Sequence, residues 1–288
     1  MENTSFTRFI EEHRAEKNKN ILRLCSFLHK NPDLPFVIKK KVMEACILSS
    51  LLYSCESWFN ENVGKLNSLY LQAIKMVLGV RNSCPSDAVL IESGYPRLQA
   101  LIKEKQFKFF RKLTSSRCHL NDDPFMHLLS IGRLNGTPSA RYIDSILSFT
   151  STSFTLYDMD EMKTQLKSKT GSKFITYCKL NADLSKHEIY SCSDILEPHR
   201  IAFSRLRIGS HRLRVETGRW SRTPREARLC RCDDAGVQDE RHIIESCSLL
   251  DELRQSFENV DFTLEAFFEG DSAAIAAYIY HALKIVEN

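Results

Sequence analysis

Cys230, Cys232, His242 and Cys247 stand in the order C-x-C-x9-H-x4-C within eighteen residues, with no other cysteine or histidine among them. That spacing asks a turn and a helix start to converge on one point, whatever the rest of the chain does. Three thiolates and one imidazole complete a tetrahedral shell without a place for water. The centre implied is one structural zinc ion, not a hydrolytic metal. One residue between Cys230 and Cys232 demands a tighter turn than the commoner C-x2-C. The step from His242 to Cys247 covers about 140° on a regular helix, so one continuous helix cannot present both. His242 is therefore expected at or just before a helix start, or at a local distortion. Ile243, Ile244, Leu249, Leu250 and Leu253 are expected to pack this knuckle onto neighbouring helices.

The charge around the cluster is polarised. Residues 199–231 hold ten arginines, two glutamates and no lysine, a net +8. Residues 232–288 carry three basic and thirteen acidic side chains, a net −10, and residues 1–198 carry +6, so the total of +4 hides the contrast. A block of like charge usually marks a solvated face. Exclusive use of arginine points further, because a guanidinium matches phosphate geometry and stacks on bases in ways an ammonium cannot.

The apolar spacing is helical nearly throughout, which predicts a mainly α fold. It divides into a bundle-like N-terminal part (1–115), a loosely built helical connector (116–195), and a C-terminal helical region with the zinc knuckle (196–288). The clearest helix is 62–79, with Val63, Leu66, Tyr70, Ile74 and Val77 on one face and Gly79 as its stop. A second is expected over 38–53, buried on most sides, with Lys39, Lys40 and Lys41 at its start as a solvated triplet or an anion contact. A third, 98–113, turns Leu98, Leu101, Ile102, Phe109 and Leu113 inward and Lys105, Lys108 and Lys112 outward. Residues 11–20 are polar on every side, leaving Ile21, Leu24, Cys25 and Leu28 as the packing stripe of the first segment. Short helices are expected near 123–129, 140–149 and 158–166. Between them lie polar or Gly-containing breaks, 167–173 among them. Residues 264–286 close the chain as one or two helices.

With 43% apolar and 26% charged residues the composition is that of a soluble globular chain. No apolar run approaches the length of a membrane span, and the N-terminus lacks a signal-peptide pattern, so the expectation is an intracellular protein, nuclear or cytoplasmic, with no membrane partner. Ten cysteines in 288 residues fall below the density of a disulfide scaffold and are expected as thiols, buried or metal-bound. Signals for catalysis are absent. The adjacent pairs Asp122-Asp123 and Asp233-Asp234 do not follow the apolar strand and turn that a two-metal site requires, and no phosphate-loop, dinucleotide, metalloprotease or nucleophile-elbow motif occurs.

Two stretches carry a family resemblance. From Lys39 to Trp58 an apolar helix ends in Leu52-Tyr53-Ser54-Cys55-Glu56-Ser57-Trp58, and the next helix runs to Leu78-Gly79-Val80-Arg81. Farther on come Leu206-Arg207-Ile208-Gly209-Ser210-His211-Arg212-Leu213, Glu216-Thr217-Gly218-Arg219-Trp220, Arg228-Leu229-Cys230-Arg231-Cys232 and Val237-Gln238-Asp239-Glu240-Arg241-His242 with Cys247. In this order they resemble the thumb-like and C-terminal CCHC regions of LINE-type non-LTR retrotransposon reverse transcriptases. The aromatic-Ala-Asp-Asp turn of the polymerase and the family's endonuclease have no counterpart. The resemblance thus implies a piece without catalytic domains that grips RNA or DNA, with retroelement ribonucleoprotein components as further partners. It assigns phosphate contacts to Arg205, Arg207, Arg212, Arg214, Arg219 and Arg222, and gives Trp220 either a stacked base or a packing role. RNA or single-stranded DNA is favoured. Two other readings fit the same sequence. One is a helical interaction scaffold whose arginine block is neutralised by the acidic tail through Asp251, Glu252, Glu258 or Asp261. The other is a degraded reading frame without retained activity.

Overall fold

The computed structural model describes residues 2–58, 63–115, 124–150, 153–232 and 236–287, and within these not the side chains of 2–7, 172 and 173. The chain is mainly α, and the pairing seen between extended segments of the described residues is an isolated antiparallel bridge, Leu229 with Val237. Among the described residues no helix is long and apolar enough to cross a membrane.

The first helix, α1 (Glu2–Lys30), packs on α4 (Gly64–Leu78). Its buried stripe is Ile10, His13, Ile21 and Leu24. It therefore begins well before Ile21, because Trp58, buried beside it, sets its ring edge against His13 at 5.7 Å. Cys25, expected in the stripe, is exposed. The second apolar segment is a composite, α2 (Phe36–Met43), a π-helical turn (Glu44–Leu48) and α3 (Ser49–Leu51). Met43, Ile47 and Leu51 are spaced by four. Each such step rotates by about 40° on a regular helix, and the wider π turn takes up that drift so that all three face the core. Burial is one-sided here, against the expectation: Ile38, Cys46 and Tyr53 lie outside.

Helix α4 follows its pattern closely. Val63, Leu66, Tyr70, Ile74 and Val77 are buried. The chain stops at Gly79 with φ +74°, where the Gly79 and Val80 amides donate back to Met76 and Lys75. A Cβ at Gly79 would lie 2.9 Å from Ile201 Cγ1, so the same glycine lets a later helix close on this end. Next come α5 (Ser86–Ser93), sunk in the core, and α6 (Leu98–Ser115). On α6 the inward positions are Leu98, Ile102, Gln106 and Phe110, whereas Phe109 is exposed. Gln106 is the cause, because its amide donates to the carbonyls of Cys55 and Trp58 and accepts from the Tyr142 hydroxyl.

The connector forms α7 (Pro124–Leu134), α8 (Pro138–Leu147), α9 (Phe154–Lys167) and α10 (Ser172–Leu180). The break expected over 167–173 is shorter than its composition suggests, since α10 begins at Ser172 with Gly171 as its cap. Phe110, Leu129, Ala140, Ile143 and Ile146 make a small satellite core. The large core takes residues from all three sequence segments, among them Leu66, Met162, Tyr177 and Phe203. The chain then runs through α11 (Glu197–Arg207), α12 (Arg214–Trp220), α13 (Glu240–Glu245), α14 (Asp251–Gln255) and α15 (Ser272–Glu287), with α11 packed along α15.

Two buried carboxylates bind the N-terminal part to α11. Glu92 on α5 accepts from Arg207 Nε at 2.8 Å, Tyr190 at 2.9 Å and Tyr177 at 3.0 Å. Glu197 accepts from Arg200 Nη2 at 2.6 Å and from Lys39 Nζ at 2.9 Å. Lys39 is thus an internal cation and no part of a solvated triplet. Arg207 is 3% exposed and cannot touch a phosphate, which corrects its assignment as a nucleic-acid contact. Burial first, and then the charge of Glu92, push the Tyr177 and Tyr190 hydroxyls well above their usual pKa, so both remain donors. Glu92→Gln is expected to lower unfolding free energy by roughly 3–5 kcal/mol in urea titration, because it leaves a dry guanidinium without its counter-charge. A loss of only about 0–1 kcal/mol, the value of an exposed pair, would show that water reaches the site. Gly79→Ala should cost at least about 1–2 kcal/mol by the same assay, from its left-handed backbone alone.

Candidate metal centre

Asp239 starts α13: its Oδ1 accepts from the His242 amide at 3.0 Å, an N-cap that fixes where the helix begins. His242 is accordingly in the first turn. The helix ends at Glu245, and the Cys247 amide donates back to the His242 carbonyl at 2.8 Å. Chain reversal after this short helix brings Cys247 to the side of His242 that regular helix would deny it. On the other wall, the Leu229–Val237 bridge is extended by two hydrogen bonds, Cys230 N to Gly236 O at 2.7 Å and Gln238 N to Arg228 O at 2.9 Å. These present Cys230 and Cys232 from one turn.

The structure brings all four expected ligands together. Their ligand atoms lie within 4.8 Å of one another and all four residues are buried. Cys230 Sγ and Cys247 Sγ are 3.7 Å apart. A disulfide would hold them at about 2.05 Å. A tetrahedral ion with metal–sulfur bonds of about 2.3 Å spaces sulfurs by about 3.8 Å, so the thiols stand at metal-shell distance. Cys232 Sγ to His242 Nε2, at 3.1 Å, needs only a small opening to match. With Nε2 facing the shell, the proton sits on Nδ1, which donates to Ser246 Oγ at 3.1 Å and fixes the ring. A Cβ at Gly236 would come 3.0 Å from that same Nδ1, so glycine here lets the loop lie close against the imidazole. In the metal-free form burial raises the Cys230 thiol, but hydrogen bonds from the Cys232 amide and thiol, from Cys247 and from Gln238 outweigh it and lower its pKa. Burial and the neighbouring Cys230 raise that of Cys247.

Support for the shell comes from residues the spacing did not single out. Gln238 donates to Cys230 Sγ at 3.6 Å, while its Oε1 accepts from the Arg214 amide at 2.9 Å. His211 Nδ1 accepts from the Leu213 amide at 3.3 Å, so Nε2 carries the proton toward Glu240 Oε1 at 2.8 Å. Burial would raise the Glu240 carboxyl, yet His211 holds it below the usual carboxylate range. Tyr278 on α15 donates to Ile243 O at 2.9 Å. Ile243, Ile244 and Leu250 are buried as expected and Leu253 is half-buried, whereas Leu249 turns outward. Asp122-Asp123 and Asp233-Asp234 lie outside the described residues.

The arginine block divides by depth. Arg200 and Arg207 are core residues. Arg228 spends its guanidinium on the carbonyls of Val215 and Thr223. Arg225 pairs with Asp239 at 2.6 Å, and half-buried Arg219 lies 3.3 Å from Glu216. Arg205, Arg212, Arg214 and Arg222 are exposed, as is Trp220 at 62%. Arg205 donates to Gly79 O and Arg214 to Leu229 O. Trp220 lies under the Arg81 guanidinium, 4.7 Å from its ring centroid. Of the acidic residues expected to neutralise the block, Asp251 is held by Arg254, and Asp261 accepts from Thr263.

No protein-family model, curated protein or solved structure matches the chain. What the coordinates define is a helical protein with a buried three-cysteine, one-histidine group able to hold a metal ion. One equivalent of bound metal per chain is expected by elemental analysis, and Cys247→Ser should remove most of it. Affinity should fall on acidification, because each ligand must be deprotonated to bind. Metal content unchanged in Cys247→Ser would remove that residue from the shell.

Proposed function

We propose that the chain is a non-catalytic nucleic-acid-binding piece related to the C-terminal region of LINE-type reverse transcriptases, built around one structural zinc ion. Zinc is the ion favoured by the donor set, three soft thiolates and an imidazole in a closed tetrahedral arrangement. The protein works inside the cell, where its thiols stay reduced. Its ligand is RNA or single-stranded DNA, in the setting of a retroelement ribonucleoprotein.

The observation that carries this reading is the uneven fate of the arginine block. Arg212, Arg214 and Arg222 remain exposed on the same stretch as Trp220, whose outer surface is 62% open. Guanidinium groups beside an indole form the combination that holds a polynucleotide through phosphates and base stacking, without a hydrogen-bond code for particular bases. Arg81, supplied by the end of α4, extends this surface by stacking on the same indole. The Cys3His shell serves by position: Gln238 touches Cys230 Sγ on one side and takes the Arg214 amide on the other, so the ion holds the base of α12.

Filter binding of the zinc-loaded chain to single-stranded RNA should show affinity that falls steeply with salt. Joint replacement of Arg212, Arg214 and Arg222 by Gln should flatten the log–log salt slope by about 2, at roughly 0.7 per phosphate contact. Trp220→Ala should weaken binding by about 1–3 kcal/mol. Salt-independent binding, or none at low salt, would overturn the proposal.

A further inference from the structure

A cleft of about 480 Å³ runs along α11 from Pro198 to Arg205, beside the C-terminal half of α15 and the turns that follow α1 and α4, a volume within the range of small-ligand sites, roughly 300–1,000 Å³. Arg81, Arg205, Arg212 and Lys284 line it, opposed by the carboxylates of Asp33 and Glu287. Four cations and two anions leave the cleft positive. Glu287 is already engaged, accepting from the Arg212 backbone amide at 2.5 Å.

The cations differ in how far they are committed. Arg81 is fixed: its Nε donates to Ser210 O at 3.1 Å, its Nη2 donates to His211 O, and its plane lies over Trp220. Among the described residues Arg81 Nη1 has no acceptor, and Arg205 uses only Nε, on Gly79 O at 2.9 Å, which leaves both its terminal nitrogens. Among the described residues the Arg212 side chain makes no hydrogen bond or ion pair, and the Lys284 ammonium is held only over the Tyr280 ring, at 4.4 Å. Helix C-termini account for part of this gathering, because their carbonyl ends favour cations. They do not account for the donors left over. The cleft desolvates the Arg205 guanidinium, and although Glu287 acts the other way, Arg81, Arg212 and Arg200 add like charge, so its pKa lies below the ordinary arginine value. It stays charged, crowded by cations that a bound anion would relieve.

We propose that this cleft is a phosphate-binding site, in which Arg205, Arg212 and Lys284 close on a phosphoryl group and Arg81 sets its rear wall. The chemistry suits a phosphomonoester or pyrophosphate of a mononucleotide and equally a phosphodiester of a polynucleotide strand. The cleft shares Arg81 and Arg212 with the surface proposed above and in its phosphodiester form rests on that reading, whereas inorganic pyrophosphate scores it with no polynucleotide present.

The test is calorimetric titration of the zinc-loaded full chain with inorganic pyrophosphate at low salt. Saturable one-to-one binding is expected. Arg212→Gln and Lys284→Gln should each weaken it about tenfold with an unchanged melting temperature, while Lys167→Gln, an exposed lysine outside the cleft, leaves it unchanged. Competition identifies the source: displacement by 5′-hydroxyl RNA marks a backbone phosphodiester, and displacement by a mononucleoside monophosphate alone marks a free nucleotide. Absence of pyrophosphate binding, or equal affinity in all three variants and the parent, would overturn the proposal.

Discussion

The ion pair between Glu92 and Arg207 is the contact on which the arrangement of the helices depends. Both side chains are buried, and the carboxylate is shared with two tyrosines and Asn181, from the region of α10 and the turn after it. A buried pair gains little over a well-packed apolar pair, since desolvation offsets most of the attraction. Its effect is on register. Arg207 reaches both carboxylate oxygens with one face of its guanidinium and the Leu180 carbonyl with Nη1, so α5, α10 and α11 meet in one relative position. The neighbouring Glu197 group continues the same constraint. Arg200 joins Glu197 to the end of α4 through the carbonyls of Val77 and Leu78, and Ser204 links Arg200 to Tyr190.

That network explains why a charge count along the sequence misjudged the surface. Ten arginines against two glutamates describes residues 199–231 correctly as a sum. Three of them, Arg200, Arg207 and Arg225, pair with carboxylates outside the window, one of these more than a hundred residues away. Linear counting has no term for such partners. The helices were legible where one face alone decided them, as in α4, whose stripe and terminal glycine appear together. They were misread where a polar residue entered the core. Gln106 rotates α6 so that Phe110, and not Phe109, faces inward, and nothing in a hydrophobic pattern marks a glutamine as buried. The π turn after Met43 is invisible for a related reason, because periodicity assumes a constant pitch.

The ligand quartet was legible because metal spacing is a local constraint. Its geometry was inferred correctly in outline: five residues from His242 to Cys247 do not fit a helix, and α13 ends between them. The supporting residues were hidden in plain text. Gln238 and Glu240 lie among the ligands, but their partners are Arg214, His211 and the chain terminus of α15, and only folding brings these within reach. Local spacing thus defines a metal shell, while tertiary contacts decide what the shell holds in place.

What it holds is the start of α12. Val215 donates its amide to Gln238 O at 3.1 Å, the Arg214 amide donates to Gln238 Oε1, and Arg228, one residue before the ligand turn, returns a guanidinium to Val215 O at 2.7 Å. Structural metal binding is coupled to folding of the segment that carries the ligands. Here that segment shares a hydrogen-bonded frame with Arg214 and Val215 at the start of α12, the helix whose far end carries Trp220. An ion bound to that segment would therefore act first on the start of α12. Among the described residues the polar partners of the Glu92–Arg207 pair are Tyr177, Tyr190, Asn181 and the Leu180 carbonyl, none of them in the ligand loop. An ionic centre thus positions the helices, and a metal held by the Cys/His group would order the start of α12.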